Sequence, residues 1–366
     1  MKIAYVSLHW PRTTSSSVGK KILRQKKQWQ SMGHTVLFFS HLHTISEPQQ
    51  LLQGKRFFYP NNHGLLQREI GRIKAAGQLL KSLREYEPDI IYLRWGMYTI
   101  PMRQIFSIAP VIVEVNTNDK KEHRHLGFVL NMYNRLTRSI FLRLADGAIF
   151  TSKELRNDPA FTTFVTHSLV VSNGIELDDI PYYKAPANTP PQLIFLGTPG
   201  MAWHGLEKLR EFALENSDIT IDIAGSDDTA ISGSIPSNFK MHGYLRGEAF
   251  ESLLANADAA IGSISLHRND MNEASPFKIR DCVARGIPVI LPYIDTDLSN
   301  LDYEEVLQIP NTPDNLKSHT QAIRDFIFKM QGRRIQRNRI TKHIGIKEKE
   351  RARVDFFHKI LENNTH

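Results

Sequence analysis

A chain of 366 residues exceeds what one hydrophobic core usually organises, so two domains of similar size are expected. Its 41% hydrophobic and 23% charged residues make a globular composition, and no segment approaches the roughly eighteen uncharged apolar residues that a membrane span needs. The formal charge of +8 points to an anionic partner (a phosphorylated small molecule, a membrane surface or nucleic acid), and the single cysteine, Cys282, excludes an internal disulfide and a cysteine-cage metal site.

Lys2 to Leu8 is too short for the apolar stretch of a secretory leader and predicts a first buried strand, hence a cytoplasmic protein. Short apolar runs then alternate with helical patterns, the signature of strand–helix–strand units and a parallel sheet. Strands are predicted at 3–8, 35–40, 89–94, 111–115 and 147–151. A helix from Val18 to Met32 joins the first two, with Ser15–Ser17 as caps and Gly33 as its stop. It carries Lys20, Lys21, Arg24, Lys26 and Lys27 without an intervening acid, and Arg333, Arg334, Arg337, Arg339 and Lys342 form a similar run near the end. Each run is either a solvated helix face or a face for a membrane or an anionic acceptor. A second amphipathic helix, roughly 127–145, sets Phe128, Met132, Leu136 and Phe141 among Arg135, Arg138 and Arg143, a pattern suited to core packing or to a membrane surface.

Tyr182 to Pro191 (YYKAPANTPP) sustains neither a helix nor a central strand and reads as an interdomain linker. The alternation then restarts, with strands at 193–197, 219–225, 239–242, 258–262 and 287–291 and helices at 205–215, 247–256, 276–285 and 314–331. This predicts a second doubly wound α/β domain, and two such domains in series bring the carboxyl ends of both sheets toward a shared cleft.

The most informative segment runs from Asn272 to Ile290 (NEASPFKIRDCVARGIPVI). Glu273 falls in a loop, Pro276 suits a first helical turn, Asp281 follows in the helix and Gly286 closes it before a buried strand. A helix start binds anions through its unpaired amides and its dipole. A diphosphate at Ser275–Lys278, flanked by carboxylates that accept hydrogen bonds from sugar hydroxyls, is chemically sensible there.

This segment resembles glycosyltransferase family 4, whose signature has two glutamates with seven residues between them; Glu273 and Asp281 have that spacing, with Asp in place of the second Glu. Ser275-Pro276-Phe277-Lys278 is similar to the family's Ser-Pro-Leu-Lys form. Ser31 to Val36, Pro88 to Tyr92, Ala145 to Ser152 and Val171 to Glu176 match further family segments in order. The resemblance implies the GT-B fold: two Rossmann-like doubly wound α/β domains facing a central cleft. It places an acceptor-binding domain at 1–180 with a returning C-terminal helix at about 346–363, and a nucleotide-sugar-binding domain at 190–345.

It further implies a glycosyltransferase that moves a sugar from a nucleotide-sugar donor to a glycan or lipid-linked acceptor, with retention and with no metal or other cofactor, in bacterial surface polysaccharide synthesis. An anionic membrane surface is an expected partner and nucleic acid is not. Glu273 would contact the donor sugar and Asp281 the ribose. Gly197 and Thr198, with His204 of the Trp203-His204-Gly205 sequence, would lie against the diphosphate together with Lys278 and Gly19. Gly225 with Ser226, and Gly243 with Tyr244 and Leu245, match the base-binding loops. Asn116 stands where relatives carry a histidine near the reacting centre, and it can bond a hydroxyl but not shuttle a proton. Glu114 fits a bracing residue better than a base, and His41, His43, His123 and His125 fall near candidate cleft loops, where sequence alone does not rank them. A nucleotide-sugar epimerase and a non-catalytic partner subunit are the alternatives that the same fold permits.

Overall fold

The structure, a computed structural model, describes residues 1–8, 16–43, 53–60, 64–122, 127–227, 231 and 233–364. Spatial contacts divide the chain into two units, Met1–Val171 with Ile346–His366, and Ser172–Gly345.

In the first unit β1 (Lys2–Leu8), α1 (Ser17–Ser31), β2 (Thr35–His43), β3 (Lys55–Tyr59), α2 (Leu65–Tyr86), β4 (Ile90–Arg94), β5 (Val111–Val115), α3 (Phe128–Leu144), β6 (Gly147–Phe150) and β7 (Ser168–Val170) follow in turn. The strands form one parallel sheet in the order β3-β2-β1-β4-β5-β6-β7. Their near-continuous apolar runs suit a sheet covered on both faces. Ser16 Oγ accepts the Gly19 N–H at 3.0 Å and so starts α1, while Gly33, at φ 86°, turns the chain out of it.

The C-terminal helix Ile346–Asn364 belongs to this unit. Its Val354, Phe356, Phe357 and Ile360 join Ile3, Tyr5 and Trp29 in one buried cluster. Trp29 donates its indole N–H to Glu350 at 2.9 Å, and its ring centroid stands 5.3 Å from that of Phe357. A Cβ on Gly147 would lie 3.0 Å from the Phe356 ring, so a glycine lets the helix close onto β6. Of the elements named for this unit, β3, α2 and β7 lie outside those predicted from sequence. The first and last are only five and three residues long, and Gly71 and Gly77 interrupt the second.

The second unit holds β8 (Gln192–Leu196), α4 (Leu206–Glu215), β9 (Thr220–Ala224), β10 (Phe239–Met241), α5 (Gly247–Ala255), β11 (Ala259–Ile261), β12 (Glu273–Ala274), α6 (Phe277–Ala284), β13 (Val289–Leu291), β14 (Ile294–Asp295), β15 (Val306–Gln308), α7 (Thr320–Met330) and α8 (Arg337–Ile344). Its parallel sheet has the order β10-β9-β8-β11-β13-β15, and β12 pairs with β14 alone. Glu273 is therefore in a short paired strand and not in a loop.

The helix predicted over 314–331 is broken. Asn315–Ser318 makes a separate turn, held by the buried Asn315 amide, which donates to Ile264 O at 2.9 Å. The stretch 182–191 packs within the second unit, where Tyr183 N–H donates to Arg285 O at 3.2 Å and Asn188 Nδ2 to Asp258 Oδ2 at 2.8 Å. The chain leaves the first unit at Val171–Ser172.

Neither basic run is one open face. Lys21 is buried. In the later run, Arg334 donates to Ala255 O and Ala257 O, Arg337 to Leu177 O, Ile180 O and Ala284 O, and Arg339 pairs with Glu305 at 3.1 Å. Arg334 and Arg337 thus cap the terminal carbonyls of α5 and α6, Ala255 O and Ala284 O.

Candidate functional site

The sheet order of the second unit reverses beside β8, with β9 and β10 on one side and β11, β13 and β15 on the other. Open α/β sheets take ligands outside the carboxyl ends of their strands at such a reversal, because the two adjacent loops diverge there. A crevice at this point is lined by Leu196, Gly262, Ser263, Pro276, Lys278 and Ile279, from the ends of β8 and β11 and the start of α6.

Three glycines stack along the rim. Gly197 N–H donates to Ala224 O at 2.7 Å, and Gly225 N–H to Gly243 O at 2.6 Å. Gly225 has φ +92°, and a Cβ there would stand 2.6 Å from Gly197 O. Only glycine meets both conditions. Tyr244 lies 75% exposed, with the Arg246 guanidinium 4.8 Å from its ring centroid, and Leu245 is half-buried.

Lys278 sits in the first turn of α6 and donates from Nζ to Thr198 Oγ1 at 3.0 Å. Burial pushes its ammonium down to about 8, and among the described residues no carboxylate pairs with it. It keeps two more N–H donors than this bond uses. The amides of Phe277, Lys278 and Ile279 precede the first intrahelical bond of α6, Arg280 N–H to Pro276 O, so positive ends of backbone dipoles lie beside the ammonium. Thr198 also donates its N–H to His204 Nδ1 at 3.3 Å. An accepting Nδ1 puts the imidazole proton on Nε2. Burial and the neighbouring Lys278 charge push His204 down to about 4, so it is a neutral hydrogen-bond donor at pH 7.

The remaining expected donor residues are arranged around α6. Glu273 is 6% exposed. Ser275 Oγ accepts the Asn173 N–H at 3.2 Å, and its carbonyl accepts Asn173 Nδ2 at 2.9 Å, which pins the loop before the helix. Phe277 is half-buried. Asp281 is paired with Arg285 at 2.5 Å, and Arg285 reaches Glu251 at 2.9 Å, so the carboxylate assigned to the ribose has a cation one turn away.

A brace behind the site escapes sequence reading. Arg280 is fully buried and donates to both oxygens of Asp295 and to Asp297 Oδ2 at 2.6 Å, and Asp297 also accepts from Ser172 Oγ at 2.6 Å. It fixes α6 against β14. The only signal was an arginine inside an otherwise apolar helix face.

In the first unit, Glu114 at the end of β5 is fully buried. Lys21 lies 2.8 Å away, Arg94 3.1 Å and Arg353 3.9 Å. Burial alone would raise its carboxyl, but the three cations hold it well below the usual carboxylate range. It is a brace, as expected. Lys21 is pushed down to about 8 by burial, against the opposing pull of Glu114.

Asn116 accepts from Lys21 Nζ at 2.7 Å and donates from Nδ2 to Glu114 at 3.1 Å. Both ends of its amide touch the charge cluster. Gly19 is buried and its N–H serves the cap of α1. His41 is a core residue of β2 with Nε2 2.9 Å from Arg72 O, and burial pushes it down to about 4. The His43 ring centroid is 6.2 Å from that of Tyr59, and His123 and His125 lie outside the described residues. Among the described residues, no three His, Cys, Asp or Glu side chains group as metal ligands.

No curated protein matches this sequence. The structure is similar to a sucrose-phosphate synthase from Thermosynechococcus elongatus, with a TM-score of 0.67 at 12% identity over 99% of each chain. It is similar to the lipopolysaccharide outer core galactosyltransferase WaaB, with a TM-score of 0.65 at 11% identity over 98% of this chain and 99% of that one. A third similar structure is Anabaena HepE in complex with UDP and glucose, with a TM-score of 0.60 at 11% identity over 98% and 99%. Residues 18–179 match the family model of Glycosyltransferase Family 4, and the whole chain has the GT-B fold of two parallel-sheet α/β domains.

Proposed function

We propose that the chain is a glycosyltransferase that binds a nucleotide-sugar donor at the β8/β11 reversal of its second unit. Its acceptor is a glycan or lipid-linked glycan of the bacterial surface type, and transfer proceeds with retention and without a metal ion. The observation that carries this reading is Lys278, a half-buried ammonium in the first turn of α6 with a hydroxyl and no carboxylate beside it among the described residues. Burying a cation without a counter-charge is costly, so a chain that does it has use for an anion at that place. The match to Glycosyltransferase Family 4 and the UDP seen with Anabaena HepE agree with a nucleoside diphosphate as that anion.

In transfer, the bond between the anomeric carbon and the diphosphate oxygen breaks with its electron pair going to the diphosphate. The acceptor oxygen bonds to the same carbon and gives up its proton to the departing phosphate. Lys278 and the α6 amides meet the charge that develops on the leaving group, which is the main electrostatic demand of the step. His204 adds a neutral donor, Glu273 accepts from sugar hydroxyls, and the glycine rim leaves room for the nucleoside.

The test is a screen of UDP-, GDP- and ADP-sugars for nucleoside diphosphate release in the presence of candidate acceptors, with binding of each conjugate measured alongside. One base series binds the wild type, and Glu273→Ala keeps the bare nucleotide while losing its preference for the sugar conjugate. A sugar isomerised on its nucleotide with no acceptor present would replace transfer with epimerisation. Binding of no nucleotide at all would remove the reading.

A further inference from the structure

Large apolar side chains are exposed on two neighbouring helices of the first unit. On α3, Phe128 is 79%, Val129 77% and Leu136 71% exposed; on α2, Leu66 is 75%, Ile70 46% and Ile73 40% exposed. The two helices meet there, because the Arg72 guanidinium lies 5.9 Å from the Tyr133 ring centroid. Leu66, Ile70 and Ile73 fall at i, i+4 and i+7, and Phe128, the 41% exposed Met132 and Leu136 at i, i+4 and i+8, so each set forms a stripe along its helix. Isolated exposed leucines are ordinary, whereas two such stripes side by side form a contact surface.

Among the described residues of α3 and the first sixteen of α2, which carry it, its charge has one sign with a single exception. α3 contains no acidic residue, and its Arg135 and Arg143 are exposed. The first sixteen residues of α2 contain one acid, Glu69, which Arg72 meets at 2.8 Å, alongside Arg68 and the exposed Lys74. Apolar anchors that protrude among cations match the two components of an anionic bilayer surface, acyl chains below and phosphates at the level of the basic groups. A second copy of the chain fits less well, since a two-fold contact would set these cations against themselves.

We infer that the exposed α2/α3 face of the first unit docks the protein on an anionic lipid surface. Docking here is independent of the donor site, which lies in the other unit, and it would present the protein to an acceptor carried on lipid.

The experiment is flotation of the full chain with vesicles of phosphatidylcholine mixed with phosphatidylglycerol, and with phosphatidylcholine alone. Wild type floats with the mixed vesicles and releases as salt is raised. Phe128→Ser/Leu136→Ser removes two anchors and weakens binding by about tenfold or more. Lys74→Glu/Arg135→Glu lowers binding to mixed vesicles toward the level on phosphatidylcholine. All four positions are exposed, so thermal melting and nucleotide binding stay at wild-type values in both variants, which keeps this test separate from that of the donor site. Absence of the wild type from mixed vesicles at low salt would overturn the assignment, as would equal flotation of the variants. A dimer that both variants dissolve, without vesicle binding, would give the face to a second copy instead.

Discussion

Lys278 shows how one residue type carries different meanings at different depths. The chain has many lysines, but this one sits half-buried against Thr198 with its ammonium pushed down to about 8. The sign of the pH dependence follows. Below pH 8 the free protein already carries the charge that an anion needs, and above it the protein must take up a proton to bind. A nucleoside diphosphate is fully ionised in that range, its last pKa being about 6. Its Kd is therefore expected to weaken about tenfold between pH 7 and pH 9, and to be flat over the same interval in Lys278→Gln. A calorimetric pH series checks both.

Ser275 and Lys278 were legible as a helix-start pair because proline, lysine and glycine punctuate that segment locally. Lys21 was not, since in sequence it is one cation in a basic run, and only the fold places it 2.8 Å from Glu114. The contacts of Asn116 were hidden for the same reason. Its partners Lys21 and Glu114 meet it across ninety-five residues in one case and two in the other, and only the latter separation is visible in a local pattern.

Among the elements, the glycine rim of the second unit is the most sharply constrained. Gly225→Ala places a Cβ 2.6 Å from a backbone oxygen at φ +92°, and neither atom belongs to a side chain that can swing away. Gly243 also has positive φ, 62°, but nothing lies within 4 Å of its missing Cβ. Urea unfolding should show a loss of about 2–4 kcal/mol for Gly225→Ala and about 1 kcal/mol for Gly243→Ala, the strain of the left-handed backbone alone. Equal losses would mean that the close approach to Gly197 O costs nothing.

Most strands were legible because both-face burial writes them as apolar runs. Helix α2 was not, and its exposed Leu66, Ile70 and Ile73 explain why. Apolar residues outside the buried stripe blur the 3.6-residue period, so the feature that hid the helix in sequence is the one that gives it a surface. The break at Asn315 was equally invisible, because it depends on a hydrogen bond to Ile264, fifty-one residues earlier.

At the scale of the whole molecule, two α/β units in series followed from length and from the alternation of strand and helix patterns. The return of the last helix to the first unit is seen in Phe357 packing on Trp29 and in Glu350 accepting from its indole. No helix among the described residues is long and apolar enough to cross a membrane. The GT-B fold by itself does not fix an activity, and the functional argument rests on the β8/β11 reversal and the cation placed there. The most direct measurement is calorimetric titration of UDP, GDP and ADP into the wild type and Lys278→Gln at pH 7. One diphosphate is expected to bind the wild type, and the variant to bind it about tenfold to a hundredfold more weakly, the worth of a charge-assisted hydrogen bond. Binding of none of the three, or equal binding by the variant, would contradict a donor site at the start of α6.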